Sequence, residues 1–189
     1  MRLYEKLPNH IVVNGEKIKL KLDFRNVIRM IDVLADDDLM PEAREYLALK
    51  CVCKHPRKGT LKEIKNFLFG EPDGEYHERI TDMTQDAELI LSAFRQVYGI
   101  NLLKDRLHWF EFSALLSSLP NNTKYTDILS IRARPIPVAT QYNTEERQWL
   151  MKAKLMYGLK FSEKEQKEMF RHSMKGLASG FSSMAGGGK

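Results

Sequence analysis

A mainly α fold is what this sequence predicts: a helical domain with a small N-terminal β-hairpin, followed by a C-terminal helical appendage. Three observations carry it. Between Asp86 and Arg134, three helical patterns separated by strong stop signals hold the densest run of large apolar side chains. Near the start, Asn14-Gly15 sits between two short runs of strand-forming residues, the sequence of a type I′ hairpin turn because both residues accept positive φ. Pro135-Ile136-Pro137 then breaks the chain, since two prolines cannot sit inside a continuing helix.

In order, Ile11-Val12-Val13 and Glu16 to Leu22 form the hairpin. Ile18, Leu20 and Leu22 alternate with Lys17, Lys19 and Lys21, which gives one apolar face and one lysine face. Solvated lysines there also discourage edge-to-edge pairing. Asp23 caps a helix whose Phe24, Val27, Ile28 and Ile31 fall at i, i+3, i+4 and i+7. Asp36-Asp37-Asp38 lacks the alternating oxygen ligands and glycine of a calcium loop. It reads as an exposed lead-in to a helix with Pro41 in its first turn and Leu47, Leu49 and Val52 further on. Thr60 and Glu63 make a capping-box pattern ahead of Leu61, Ile64, Phe67 and Leu68, with Gly70 as the stop.

The central hub opens at Asp86, with Ile90, Phe94 and Val97 at helical spacing and Gly99 where a left-handed residue terminates the turn. A second helix is expected from Leu107 to Leu119 behind an Asp105 cap. Leu107, Trp109, Phe110, Phe112, Leu115, Leu116 and Leu119 make it apolar almost all round, so it should be buried. Thr123 caps a third, carrying Tyr125, Ile128 and Leu129, and Pro135 ends it. Beyond the prolines, Thr144 caps a helix with Trp149, Leu150 and Leu155 that ends at Gly158. Ser162 and Glu165 then form a capping box for a charged helix with Met169, Phe170 and Met174. The organisation that follows is a core domain over 1–135, a linker over 136–143, a helical appendage over 144–178 and a flexible tail over 179–189. The Gly- and Ser-rich stretch from Gly176 to Lys189 holds Leu177, Phe181 and Met184, which could order on a partner.

Composition narrows the function classes. With 189 residues and 43% hydrophobic content, the chain can bury one real core. No apolar run approaches the roughly 20 residues of a membrane span, and MRLYEKLPNH lacks a secretory h-region, so no membrane partner is expected. The net charge of +5 is mildly basic, but Lys and Arg are interspersed with acids, so no block defines a nucleic-acid groove. Cys51 and Cys53 stand beside His55 with only His77 nearby, which points to ordinary reduced thiols and no metal. No phosphate-binding glycine loop, nucleophile elbow or His/Glu zinc helix occurs. His108 reads as a histidine hydrogen-bonded within the core, and Asp82, Asp86 and Glu88 as helix-start charges. Catalytic, cofactor-binding and metal-binding residues are therefore not expected.

Several motifs agree in order and spacing with one family. Gln85-Asp86-Ala87, Ala93-Phe94 and Tyr98-Gly99-Ile100-Asn101-Leu102 are followed by Leu107-His108-Trp109-Phe110, Leu119-Pro120, Thr123 and Ile131-Arg132. This combination resembles the bacteriophage gp-fifteen family of tailed phages infecting Gram-positive hosts. Its usual pattern has aspartate at the place of Asn101 and a second tryptophan at Phe110. The hairpin leading into Asp23-Phe24-Arg25 also resembles the start of that family and of tail assembly chaperones, so the resemblance covers roughly residues 10 to 135.

The resemblance implies a tail assembly protein that acts by binding, as a chaperone of the tape-measure protein, in the host bacterial cytoplasm. A structural tail component retained in the virion is the alternative. The tail tube protein and a second copy of the chain are further candidate partners. Contacts are expected from hub-adjacent surface and from Trp149, Met169, Phe170 and Met174, whose apolar side chains lie outside the predicted core.

Overall fold

The computed structural model describes residues 5–72, 78–162, 165–167 and 169–171. It is mainly helical with a two-stranded N-terminal hairpin, as the sequence predicts. The chain divides into two compact units, Met1–Ile136 and Pro137–Lys189.

The first unit starts with antiparallel strands β1 (His10–Val13) and β2 (Glu16–Lys19), in the register Val13 to Glu16 and Ile11 to Ile18. Asn14 and Gly15 both have positive φ, 51° and 79°, which is the type I′ geometry their identities favour. Ile11, Val13, Ile18, Leu20 and Leu22 are buried and Lys17, Lys19 and Lys21 exposed, so the two predicted faces exist.

Helix α1 (Phe24–Ala35) is capped by Asp23, whose carboxylate accepts from the Arg25 amide at 3.1 Å. Its innermost residues are Phe24, Val27 and Met30. The expected Ile28 and Ile31 sit only partly buried beside them, because the inward stripe is rotated toward Met30. Helix α2 (Pro41–Val52) packs back along α1. It buries Ala48, Leu49 and Val52, and Leu47 turns out to solvent. Helix α3 (Leu61–Phe69) starts at Thr60 without the predicted capping box: the Thr60 hydroxyl instead donates back to Arg57 O at 2.9 Å. Gly70 closes α3 at φ 84°.

Helix α4 (Ala87–Tyr98) ends at Gly99 with φ 69° and ψ 3°, the left-handed stop expected. Helix α5 (Trp109–Ser117) is shorter than predicted. Asp105 does not cap it, because its carboxylate is used by the Asn101 amide at 2.7 Å. The cap is His108, whose Nδ1 accepts from the Phe110 amide at 3.3 Å. Nor is α5 buried all round. Trp109 and Phe112 are interior, Phe110, Leu115 and Leu116 partly so, and Glu111, Ala114 and Ser117 face solvent. Helix α6 (Lys124–Ala133) carries a reciprocal cap between Thr123 and Thr126 and buries Tyr125 and Ile128.

The core centres on rings brought from three helices. Phe112 stacks between Phe24, 4.6 Å between centroids, and Phe94, 5.3 Å, and Trp109 lies tilted against it. Backbone bonds fix this meeting: Phe24 N donates to Leu107 O at 3.1 Å and Trp109 N to Leu22 O at 2.8 Å, which pins the start of α1 to the start of α5. Trp109 Nε1 donates to Leu68 O at 3.1 Å, so its buried polar edge is satisfied at the end of α3.

In the second unit, α7 (Thr144–Tyr157) begins one residue beyond its cap, Asn143, so Thr144 is the first helical residue and not the cap. Asn143 secures the turn before it, donating to Val138 O and accepting from the Thr140 amide. Gly158 follows α7 with φ −59°, outside the left-handed region. A Cβ there would lie 2.7 Å from Lys154 O, so close approach of backbone selects the glycine. The predicted Ser162–Glu165 capping box forms in both directions, and helical backbone continues through 165–167 and 169–171. The 179–189 tail, with Phe181 and Met184, and Leu177 before it lie outside the described residues.

Candidate interaction surfaces

Asp86 is only 1% exposed and holds Arg132 in a bidentate pair, 2.7 and 2.8 Å. The carboxylate also accepts from the Asp82 amide at 2.9 Å, and Arg132 donates to Ile80 O at 3.0 Å. Thr81 bridges Asp86 to the Tyr125 hydroxyl. Burial pushes the Asp86 carboxyl up, but the bonds from Arg132 and the Asp82 amide, with the Arg132 charge, outweigh it and hold it below the usual carboxylate range. Burial raises the Tyr125 hydroxyl. This is a lock between the lead-in to α4 and the body of α6. Asp86 is thus no helix-start charge of the expected kind: its carboxylate makes no cap bond to α4, while Asp82 accepts from the Thr84 and Gln85 amides. The signal for the pairing was Ile131-Arg132 in the family pattern, which says nothing of which carboxylate Arg132 meets.

His108 has both ring nitrogens committed to backbone. Because Nδ1 accepts at the cap, Nε2 carries the proton and donates to Pro8 O at 3.1 Å. Cys53 is buried, with its thiol pushed up by that burial, and Cys51 donates to Leu47 O. Among the described residues no group of three His, Cys, Asp or Glu could hold a metal ion, and no helix is long and apolar enough to cross a membrane. His77 lies outside the described residues.

Of the four predicted contact residues, Trp149 on α7 is 55% exposed and Phe170 is 68% exposed. Met169 is half-buried and lines a shallow recess with Leu159, Phe161 and Gln166. Met174 lies outside the described residues. Helix α7 buries Leu150 and Ala153, three residues apart on one stripe. Trp149 and Met156, seven apart, share one flank of that stripe, and Met151 and Leu155, four apart, lie on the side of the helix turned away from it. All four are exposed. The sequence expectation names Trp149 as a contact residue and Leu155 only as an apolar residue of the helix, and does not include Met151 or Met156. Their spacing to Trp149 and to Leu155 was the available signal.

The first unit has a second feature that no linear pattern announced. The segment from Val52 to Arg57 runs antiparallel alongside β2. Lys21 N donates to Val52 O at 2.7 Å, Leu20 bridges to Cys53, and Arg57 pairs with Glu16. Lysines that are interspersed with acids in sequence therefore gather on one face.

Compared with known proteins, the chain matches a family model described as Bacteriophage Gp15 protein over residues 3–159. The search of curated proteins and that of solved structures return no match. Asn101 accepts from the Leu103 amide at 3.1 Å, and Phe110 packs edge-on to Phe67. The match runs past the hub, through α7 to Leu159, and so includes Trp149 and Met156. With the match covering most of its length, the chain belongs to the bacteriophage Gp15 protein family.

Proposed function

We propose that this phage protein acts in virion morphogenesis as a tail assembly chaperone that binds the tape-measure protein through α7 and the residues after it, without catalysis. The observation that carries the reading is that α7, inside the region the family shares, leaves Trp149 and Met156 exposed on one flank of its buried stripe and Met151 and Leu155 exposed on the side away from it. A tape-measure protein is a long helical chain with apolar stripes, which aggregate in water unless covered before the tail tube encloses them. An apolar helix face meets such a stripe by helix-on-helix packing, and the flexible Met151 and Met156 side chains adapt to more than one register. The resemblance of the motif series to a tail-morphogenesis family supports the tape-measure protein as the partner.

Co-expression with the tape-measure protein tests it. Full-length chain should co-purify with that protein, and Trp149→Ser with Met156→Ser, or truncation after Ile136, should abolish recovery. Undiminished capture by these variants would refute the reading. Mass spectrometry of purified virions separates the other role: a chaperone is absent from them, whereas a structural component is present in stoichiometric amount.

A further inference from the structure

We propose that the first unit associates head to tail with a second copy of itself, the basic hairpin face of one molecule seating the acidic tip of the α1–α2 pair of the next. The inference stands apart from the role assigned to α7, since every residue it uses lies before α3.

The basic pole is built where the 52–57 segment runs beside β2. Lys17 and Lys19 project from β2, Lys54 from the adjoining segment and Lys58 from the turn just after it, all exposed. No carboxylate partners any of these four among the described residues, because Glu16 is taken by Arg57. Lys21 Nζ is used at the end of α2, donating to Lys50 O at 2.9 Å. The meeting of Leu20 with Cys53 places Lys19 and Lys54 as exposed neighbours across the seam. Like charges so placed repel, and an anionic occupant relieves that repulsion. Between the lysines, Val12, paired across the hairpin with Lys17, is 66% exposed on the same outer surface.

The acidic pole has the matching composition. Asp36, Asp37 and Asp38 form the turn between α1 and α2, followed by Met40, 72% exposed, and exposed Glu42. Arg44 meets Asp37, while Asp38 and Glu42 have no cationic partner among the described residues. Each pole thus joins unpaired charges of one sign to one exposed apolar side chain, and the signs are opposite.

Geometry forces the contact to be intermolecular. Helix α1 leaves the hairpin at Asp23 and α2 returns to it at Val52, so the acidic turn lies at the far end of a pair of 12-residue helices. At 1.5 Å per residue the poles of one molecule stand about 18 Å apart and cannot meet. Two different patches joined in this way make a heterologous contact, which continues as a ring or an open filament. Nucleic acid is the less favoured occupant of the basic face, where among the described residues no Phe, Tyr or Trp is exposed for base stacking and the Arg57 fork is taken by Glu16.

Sedimentation velocity on the full chain decides it. Wild type should show concentration-dependent association at about 50 mM salt that is lost near 500 mM. Lys17→Glu with Lys19→Glu and Lys54→Glu should weaken association at least about tenfold, as should Asp38→Lys with Glu42→Lys. An equimolar mixture of the two variants should recover it, because in an alternating array the unaltered face and tip meet at one junction and the two charge-reversed poles meet at the next. The neutral set Lys17→Gln, Lys19→Gln and Lys54→Gln, checked for folding by circular dichroism, guards against a reversal that disturbs the hairpin, and should weaken association also. Monomeric wild type at every concentration, or association that persists unchanged in folded variants, would overturn the proposal. So would a mixture that stays monomeric. Retention of a duplex oligonucleotide by wild-type monomer, lost in the lysine variants, would reassign the face to nucleic acid.

Discussion

The aromatic core of the first unit and helix α7 of the second treat large apolar side chains in opposite ways. In the first, Phe24, Phe94 and Trp109 lie in stacked or tilted contact with Phe112, all four are buried, and the one polar edge among them, the Trp109 indole N–H, is satisfied by backbone. In the second, Trp149, Leu155, Met156 and Phe170 stand in solvent, although α7 is as regular a helix as any in the hub. Apolar content alone therefore does not say what a helix does. The hub spends it on interior packing, where close contacts fix one arrangement. The α7 face keeps it available, and an exposed apolar surface next to a charged one is the composition of a binding site. This contrast predicts that substitutions in the hub act on stability and substitutions on α7 act on capture of a partner.

The largest effect is expected at the Asp86–Arg132 lock. Asp86→Ala leaves a guanidinium in a site where it is only slightly exposed, and removing one member of a buried pair costs about 3–5 kcal/mol. Urea unfolding of the purified chain measures this, and a loss under about 1 kcal/mol would show that the hub does not depend on the pair. The same residue sets an acid limit. Its folded-state carboxyl titrates below the unfolded value of about 3.9, so the pair's contribution is present in full above that value. It disappears as pH falls through the lower, folded-state value. Asp86→Ala should thus flatten the stability profile below about pH 4, relative to wild type, while leaving a constant deficit at neutral pH.

Next comes the aromatic stack. Phe112→Leu roughly keeps the volume but removes stacked contacts with both Phe24 and Phe94, each worth about 0.5–1.5 kcal/mol beyond area burial. A loss of about 1–3 kcal/mol in urea unfolding is expected. A near-neutral result would mean that filling the space matters and ring geometry does not.

How much of this contrast the sequence carries differs between the two regions for a physical reason. Hairpin, α1 and the α4 and α6 termini were legible because single residues decide them: Asn14-Gly15 takes positive φ, Asp23 and Thr123 supply cap oxygens, and Gly99 takes the left-handed stop. The start of α5 was misread because the choice between Asp105 and His108 as cap rests on a tertiary bond, Trp109 N to Leu22 O, that draws Leu107 and His108 into an extended bridge with α1. Asp86 misled for a related reason. A carboxylate before a helix is locally a cap, and only the fold brings Arg132 to it. On α7, Trp149 could be named from its place beyond the hub, but Leu155 and Met156 needed the direction of the buried stripe, which Leu150 and Ala153 set only in three dimensions. The basic face was least legible, since it joins two segments about thirty residues apart through the Leu20–Cys53 bridge.

The smallest stability effect, and the sharpest test of the contrast, belongs to Trp149→Ser. Losing an exposed indole from the flank of α7 creates no cavity, and Ser is only slightly poorer than Trp as a helix former or nearly equal to it. Stability should therefore change by no more than about 0.5 kcal/mol, the usual range for surface positions away from caps and cores. The same substitution with Met156→Ser is expected to abolish capture of the tape-measure protein, so stability and binding separate at one site. Were Trp149→Ser to cost as much as Phe112→Leu, the indole would be packing its own chain instead of awaiting another, and the division between a hub that buries and a helix that presents would fail at its most exposed aromatic residue.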